Sequence, residues 1–133
     1  MIKLFIGSKG SGKTKTLIEL VNSAVESSKG NVVCIEKGDK LIHDITYKAR
    51  LIDTDAYSVA DADSLYGFVA GILASNADIT DIFVDSALKI VGNDVAAFET
   101  MLKKLEKIMA SVNIVMTVSI AVDECPDAIK AYA

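Results

Sequence analysis

The sequence contains few of the residues that mark several large classes of protein. Its 133 residues include one proline, one histidine, two cysteines and no tryptophan. Two cysteines, Cys34 and Cys125, are too few for the framework of a disulfide-rich domain, and they lack the spacing of a metal site. With 51% hydrophobic residues and no low-complexity tract, the chain is instead typical of a globular domain with a hydrophobic core.

Long hydrophobic runs are also absent. The longest, residues 114–122, covers about nine positions and includes Thr117 and Ser119, whereas a membrane-spanning helix needs roughly twenty. The first ten residues hold too short an apolar stretch for a signal peptide, and no small-residue cleavage site follows it. We therefore expect a cytoplasmic protein with no membrane span.

Positive charge is scarce, and Arg50 is the only arginine. The formal net charge of −4 argues against a broad electrostatic attraction to nucleic acid, so no nucleic-acid partner is expected. Enzymes that transfer phosphoryl groups commonly place several arginines near the phosphates. The shortage of arginine therefore counts against that class of enzyme.

What the chain does have is an alternation of short apolar runs with longer amphipathic stretches. Strands are predicted at residues 2–6, 32–35, 51–52, 82–84 and 114–120. Helices are predicted at residues 14–28, from 58 or 61 to 73, from 93 or 94 to 112, and after 126, with a polar loop at 37–48. Strands that alternate with helices indicate a parallel sheet with helices on both faces. We therefore predict an α/β fold, a three-layer α/β/α sandwich with a five-stranded parallel sheet, in a single domain over residues 1–133.

The most specific feature is a glycine-rich segment between the first strand and the first helix. It matches the pattern G-x-x-x-x-G-K-[ST] in full: Gly7, Ser8, Lys9, Gly10, Ser11, Gly12, Lys13 and Thr14. The motif requires a strand before it and a helix after it, and both are predicted here. We expect the glycines to adopt positive φ and the loop amides to form an anion-binding nest at the start of a helix.

The side chains of this segment fit the same purpose. Lys13 would reach the β- and γ-phosphates of a nucleotide, and the hydroxyl of Thr14 would ligate Mg²⁺, a hard cation that prefers oxygen ligands. Lys9 and Lys15 add charge beside the nest, either as solvated lysines or as weak attractors of phosphate. The predicted nucleotide-binding set is therefore residues 7–15.

The segment resembles the Walker A loop of P-loop nucleoside triphosphatases. The second element of that superfamily is an apolar strand that ends in aspartate, and the run Asp-Ile-Phe-Val-Asp from Asp81 to Asp85 is similar to it. The resemblance implies that Asp85 holds Mg²⁺ through a water molecule, with a plain strand-end residue or helix cap as the alternative. It also implies that the bound cofactors are Mg²⁺ and ATP or another nucleoside triphosphate.

Within the superfamily, the two strands between the loop strand and the Asp85 strand resemble the RecA-like and thymidine-kinase-like branch. That branch implies a sheet of order 5-1-4-3-2. In such a sheet Cys34 and Cys125 would lie at opposite edges, beyond the reach of a disulfide bond. Two distant cysteines also cannot form the zinc-binding lasso of thymidine kinases.

That branch usually has a glutamate directly after the strand aspartate, and here the position is Ser86. Four other carboxylates follow predicted strands and are weighed both as catalytic candidates and as plain solvated acids: Glu36, Asp53, Asp123 and Glu124. The carboxyl edge of a parallel sheet is where ligands bind, so each position is suitable. Thr117 and Ser119, on the fifth predicted strand, are candidates for contact with the γ-phosphate.

Absent motifs narrow the choice of relatives. The Asp-x-x-Gly and Asn-Lys-x-Asp motifs of GTPases are missing, and one arginine cannot supply the lid of a nucleoside monophosphate kinase. The whole chain resembles small bacterial ATP-binding proteins, some of them labelled by analogy to twitching-motility ATPases. A hexameric motor would need a catalytic glutamate and arginines from a neighbouring subunit, and the sequence indicates neither.

Three functions follow from these features. The first is Mg²⁺-dependent binding of a nucleoside triphosphate, ATP by resemblance, with slow or partner-dependent hydrolysis, in which a homo-oligomer or another protein completes the site. The second is a nucleotide-responsive binding module that does not hydrolyse its ligand. The third is a small-molecule kinase whose acceptor is covered by residues 38–47, and the shortage of arginine disfavours it.

Overall fold

A computed structural model describes all of residues 1–133. The main elements alternate along the chain as β1 (Ile2–Gly7), α1 (Lys13–Ser27), β2 (Asn31–Glu36), β3 (Arg50–Asp53), α2 (Ala62–Ser75), β4 (Ile79–Val84), α3 (Ala87–Ile90), α4 (Val95–Glu106), β5 (Asn113–Ser119) and α5 (Asp127–Lys130). Two short 3₁₀ turns lie at Thr54–Tyr57 and Val122–Glu124. All four strand pairings are parallel, so the predicted α/β fold with a five-stranded parallel sheet is confirmed.

The order of the strands is β1-β5-β4-β2-β3, and the predicted order 5-1-4-3-2 is wrong. The reason lies in how much of each strand is apolar. The five central residues of β5 are all buried, whereas β1 is only partly buried and carries Lys3. A strand that is apolar at successive positions is suited to a site covered on both faces, and a strand with a charged residue is suited to an edge. The same contrast places β2, with five buried residues, inside the sheet and β3, which begins at Arg50, at the other edge.

The core lies in two clusters on opposite faces of the sheet, because successive side chains of a strand point to opposite sides. On β2, Val33 and Ile35 belong to the larger cluster, which also contains the buried residues of α2 and α4. Val32 and Cys34 belong to the smaller cluster, together with Leu17 and its neighbours from α1. Helices therefore pack against both faces.

The two cysteines are free and buried, one in each cluster. Cys34 contacts the α1 side of the sheet, and Cys125 lies with the larger cluster on the other side. Burial, together with the nearby carboxylates of Asp85 and Glu36, raises the pKa of the Cys34 thiol to about 12. The two thiols are unpaired, but the expected placement at opposite edges of the sheet is wrong, because β2 and β5 are both internal strands and the cysteines are separated by the faces of the sheet.

Helix starts follow the side chains that can cap them. Asp61 and Asp94 accept hydrogen bonds at 2.7 and 3.1 Å from amides three residues later and so begin α2 and α4. Of the alternatives left open by the sequence, these are the starts after 61 and 94. The fourth helix ends at Glu106, short of the predicted residue 112, and Ala110 beyond it has a φ of 51°.

Residues 37–49, here called the 37–49 loop, lie against α1 without forming a helix or a strand. Leu41, Ile45 and Ala49 are buried in the smaller core cluster. Asn22 of α1 donates to the carbonyl of Asp44 and accepts from the amide of Thr46, both at 3.0 Å. Although the sequence of this loop is mostly polar, three apolar residues spaced four positions apart pack into the core and hold the loop in place.

No helix of the protein is both long enough and apolar enough to cross a membrane.

Candidate functional site

The glycine-rich segment leaves β1 and turns into α1, and two of its glycines have the left-handed backbone that was expected. Gly10 and Gly12 both have φ of 85°. Side chains other than hydrogen are strained in that region, so glycine is needed at both positions. Gly7 does not share this conformation, and the expectation of positive φ there is wrong. A Cβ at Gly7 would lie 2.7 Å from Ser11 Oγ, so a larger residue at this position would force the side chain of Ser11 to move.

The backbone amides of this segment form a row of unused hydrogen-bond donors. Within the loop, Ser11 N donates to Ser8 O at 3.2 Å and closes a turn. The amides of Lys9, Gly10 and residues 12–15 donate to no acceptor in the protein. A helix leaves its first amides free in any case, and here the loop adds further amides before them. Such a concave run of N–H groups at a helix start is suited to a phosphate-like anion.

Lys13, the first residue of α1, folds back over the loop. Its Nζ donates to Ser8 O at 2.9 Å and to Ser11 Oγ at 3.2 Å. Partial burial lowers the pKa of Lys13, and the nearby carboxylate of Asp85 opposes that shift. No carboxylate lies within ion-pair distance of Lys13, so its charge is not neutralised by the protein.

Asp85 follows β4 and receives two hydroxyl groups on one oxygen. Thr14 Oγ1 donates to Asp85 Oδ1 at 3.0 Å, and Thr117 Oγ1 donates to the same atom at 2.9 Å. Thr117 comes from β5, the strand that lies between β1 and β4. The threonine of the glycine-rich segment and the strand-end aspartate, which are 71 positions apart, therefore meet at the same edge of the sheet.

Thr117 has a different position from the one expected for a phosphate contact. It is 1% exposed, and its hydroxyl accepts from Ser86 N at 2.7 Å while donating to Asp85. Ser86 itself has a φ of 55°, which is uncommon for a residue with a side chain. Thr117 therefore orients Asp85 and the turn after β4, whereas Ser119 at the end of β5 does line the open cleft.

The loop, the end of β4 and the 37–49 loop enclose a cleft of about 640 Å³. Its charged lining consists of five lysines and one carboxylate: Lys9, Lys13, Lys15, Lys40, Lys89 and Asp85. None of these lysines forms an ion pair with an acid. In a chain whose net charge is −4, this concentration of free positive charge is suited to an anion.

Two of these lysines, Lys40 and Lys89, were not singled out from the sequence. Lys40 lies in the 37–49 loop, four positions after the end of β2, and Lys89 lies in α3, four positions after Asp85. Each therefore follows the carboxyl end of a central strand. That placement was the available signal, because ligands of parallel sheets bind at this edge.

The carboxylates considered as catalytic candidates do not line the cleft. Glu36 is 3% exposed, and both of its oxygens accept from Leu41 N, at 3.3 and 3.2 Å. Burial raises the pKa of Glu36, although hydrogen bonds from the amides of Leu41 and Lys40 oppose the shift. Asp53 Oδ1 accepts from Gly38 N at 2.7 Å and from the amide two residues later at 2.8 Å. Both side chains hold backbone in place.

The last carboxylate candidates, Asp123 and Glu124, are exposed in the 3₁₀ turn after β5. Neither lines the cleft. Of the carboxylates of the chain, only Asp85 does so. The cleft therefore contains no second carboxylate that could orient a water molecule.

The oxygen atoms of Thr14 and Asp85 fit Mg²⁺ as part of a larger ligand set. No group of three or more histidine, cysteine, aspartate or glutamate side chains is placed to hold a metal ion. Mg²⁺ commonly takes one or two protein oxygens and completes its octahedron with phosphate oxygens and water. The pair is therefore suited to Mg²⁺ that arrives with a phosphate ligand.

Comparison with known proteins does not assign the chain to a family. Neither models of protein families nor curated proteins give a match to this sequence. The functional argument therefore depends on the geometry of the cleft.

Proposed function

We propose that this protein binds a nucleoside triphosphate together with Mg²⁺, with ATP as the expected nucleotide, and hydrolyses it slowly. The observation that carries the proposal is the set of free amides of Lys9, Gly10 and residues 12–15 beside the Thr14–Asp85 pair. A polyphosphate satisfies these donors, and the free lysines of the cleft offset its charge.

Each group of the loop has a defined part in binding. The amides of Gly10 and residues 12–15 donate to phosphate oxygens, and the start of α1 adds its positive end. Lys13 Nζ turns from Ser11 Oγ towards the phosphates. The hydroxyl of Thr14 would continue to donate its hydrogen bond to Asp85 and would offer an oxygen lone pair to the cation. When bound, Mg²⁺ neutralises part of the charge on the β- and γ-phosphates.

Slow hydrolysis follows from what surrounds Asp85. Phosphoryl transfer to water needs a group that orients the water and cations that stabilise the developing charge. Asp85 is the one carboxylate of the cleft, and two hydroxyls already donate to its Oδ1. The same observation favours a second candidate function, a nucleotide-responsive binding module that does not hydrolyse its ligand. A partner protein or a second copy of the chain would then bind selectively to the nucleotide-bound conformation.

Membership of the P-loop nucleoside triphosphatases is part of the proposal, and it rests on the loop and its setting. The strand, the glycine-rich turn and the helix follow one another as β1, residues 8–12 and α1. The sheet order does not support the RecA-like branch, because β1 lies at an edge of this sheet. We therefore propose the superfamily relationship without a branch.

Thermal unfolding with added nucleotides tests the proposal. We expect ATP with Mg²⁺, at about 100 times its dissociation constant, to raise the Tm by roughly 10 °C, because a ligand of the native state alone stabilises it. The Lys13→Ala variant should lose most of this shift. Lys107→Ala removes an exposed lysine outside the cleft and should keep it. An unchanged Tm for the wild-type protein with every triphosphate would refute nucleotide binding.

Phosphate release separates the two candidate functions. A slow release of phosphate that Lys13→Ala abolishes supports an ATPase. Binding of ATP with release no faster in the wild-type protein than in Lys13→Ala supports the binding module. Light scattering with and without ATP then tells whether the bound state is a dimer.

A further inference from the structure

Lys40 and Lys89 line the cleft but lie outside the glycine-rich segment. They come from opposite sides of Asp85 in the chain, one from the 37–49 loop and one from α3. The sheet brings these segments together because β2 and β4 are paired in parallel, with Ile35 opposite Val84. Asp85 N also donates to Ile35 O at 2.8 Å, which ties the two strand ends together.

We propose that Lys40 and Lys89 bind the terminal phosphate, so that the cleft selects its ligand by the length of the phosphate chain and not by the base. This inference rests on the proposed function. Lys40 and Lys89 are then two cations that the same chain supplies in a cleft without arginine. A partner subunit is then not needed to neutralise the end of the triphosphate.

The order of the strands points to the phosphate that these lysines would contact. The free amides of residues 12–15 lie at the start of α1, where they bind the inner part of a polyphosphate. The Thr14–Asp85 pair joins the start of α1 to the end of β4. In the sheet, β4 and β2 lie on the same side of β1, the strand that leads into the loop. Lys89 follows β4 and Lys40 follows β2, and both line the same cleft as the loop, so we assign them to the end of a phosphate chain that starts at the loop amides.

Lys40 is held on a fixed piece of backbone although its side chain is exposed. The next residue, Leu41, is 4% exposed, and its amide donates to the buried carboxylate of Glu36. Two residues before Lys40, the amide of Gly38 donates to Asp53 at 2.7 Å. Two of the four carboxylates considered as catalytic candidates, Glu36 and Asp53, therefore position a lysine.

The lining offers little to a nucleotide base. Leu41 is its one hydrophobic residue, and no aromatic side chain lines the cleft. Stacking on an aromatic ring and enclosure by apolar side chains are the usual means of binding a base or another flat ligand. Most of the binding free energy is therefore assigned to the phosphates.

Titration calorimetry with Mg²⁺ tests the inference using ATP, ADP, GTP and tripolyphosphate. For Lys40→Ala and for Lys89→Ala we expect the affinity for ATP and for tripolyphosphate to fall about tenfold, since each loses one charge-assisted contact. The affinity for ADP should stay within about twofold, because ADP lacks the phosphate that these lysines contact. GTP should bind like ATP. Lys107→Ala, the matched control, should change none of these affinities.

Several outcomes would overturn the inference and leave the proposed function standing. One is a wild-type protein that binds ATP while both variants bind it unchanged. Another is an equal loss of ATP and ADP affinity, which would mean general attraction by positive charge. A strong preference for ATP over GTP and tripolyphosphate would overturn selection by the phosphate chain. A wild-type protein that binds none of the four ligands would refute the proposed function and the inference together.

Discussion

Asp85 is the residue on which the candidate site converges. Its Oδ1 accepts from Thr14 of the loop and from Thr117 of β5, and its amide donates to Ile35 of β2. Three elements thus fix one carboxylate through hydrogen bonds that all lie at the same sheet edge. A site held in this way is organised before a ligand arrives, which lowers the entropy lost on binding.

Thr117→Val tests this organisation at the scale of one hydroxyl. The change keeps the shape of the side chain but removes a donor to Asp85 and the acceptor of Ser86 N, so a partly buried amide loses its partner. We expect the free energy of unfolding, measured in urea, to fall by about 1–3 kcal/mol. The benefit of Mg²⁺ for nucleotide binding should fall as well.

Thr100→Val is a suitable control for that variant. Thr100 donates only to a carbonyl of its own helix, at 3.2 Å, and has no contact with the cleft. If the two valine variants were equally stable and equally responsive to Mg²⁺, Thr117 would have no special part in holding Asp85.

The glycines of the loop give a second prediction at this scale. Gly10→Ala places a Cβ in open space, so the expected loss of about 1–2 kcal/mol comes from the backbone conformation at φ of 85° and not from a clash. Gly67→Ala provides the opposite case, because Gly67 lies inside α2 and a Cβ added there would also meet open space. It should stabilise the protein by about 0.5–1 kcal/mol. Urea unfolding of both variants checks the pair, and destabilisation by both would contradict the backbone explanation.

How far the site could be predicted also depends on individual residues. The motif identified Gly10, Gly12, Lys13 and Thr14, and the strand-end pattern identified Asp85, because these roles follow from local sequence. Lys40 and Lys89 could not be identified in this way. Their convergence depends on the pairing of β2 with β4 and on the path of the 37–49 loop over α1. Neither the strand pairing nor the path of the loop can be predicted from a local sequence pattern.

At the scale of elements, the 37–49 loop depends on Glu36 at the end of β2. Burial raises the pKa of Glu36 above its usual value of 4.5, so the folded protein holds a proton there more tightly than the unfolded chain does. Stability from this group therefore increases as the pH falls through the raised pKa towards 4.5, and it decreases as the pH rises.

Glu36→Gln tests this assignment because glutamine does not titrate. We expect the free energy of unfolding of the wild-type protein, relative to the variant, to rise as the pH is lowered from about 7 to about 5. The test is how the difference in the free energy of unfolding between the two proteins changes with pH. The size of that difference at a single pH also contains the changed hydrogen bond from Leu41 N. Parallel pH profiles of the two proteins would show that Glu36 does not titrate differently in the folded state.

The elements themselves were largely predictable, and their arrangement was not. The spacing of apolar residues and the short apolar runs located five strands, and Asp61 and Asp94 were among the suggested helix caps. The order of the strands was inferred by counting them and by resemblance, which ignored how apolar each one is. Lys3 in β1 and the run of β5, in which four of the five central residues are apolar, contained the necessary information, because an internal strand must be buried on both faces.

At the scale of the whole molecule, charge is unevenly distributed. The chain has a net charge of −4, yet its cleft holds five lysines without acidic partners. A polyanion is therefore attracted to the cleft and repelled by much of the remaining surface. Such interactions between exposed charges weaken as salt is added.

Salt dependence of binding tests this distribution. Raising the ionic strength from about 0.05 M to about 0.5 M shortens the Debye length severalfold, and we expect the affinity for tripolyphosphate to fall by at least about tenfold. The Lys40→Ala/Lys89→Ala double variant should show a shallower dependence than the wild-type protein. Equal slopes in calorimetric titrations of the two proteins would show that these lysines do not contribute to the attraction.

The central claim is that backbone amides of the glycine-rich loop bind a polyphosphate, and amide NMR tests it most directly. During titration with Mg²⁺ and ATP, the account predicts saturable shifts that are largest at Gly10, Gly12, Lys13, Thr14 and Lys15, and their loss in Lys13→Ala. Shifts that are absent from these amides, or that are largest elsewhere, such as at the cavity between α2 and α4, would contradict it.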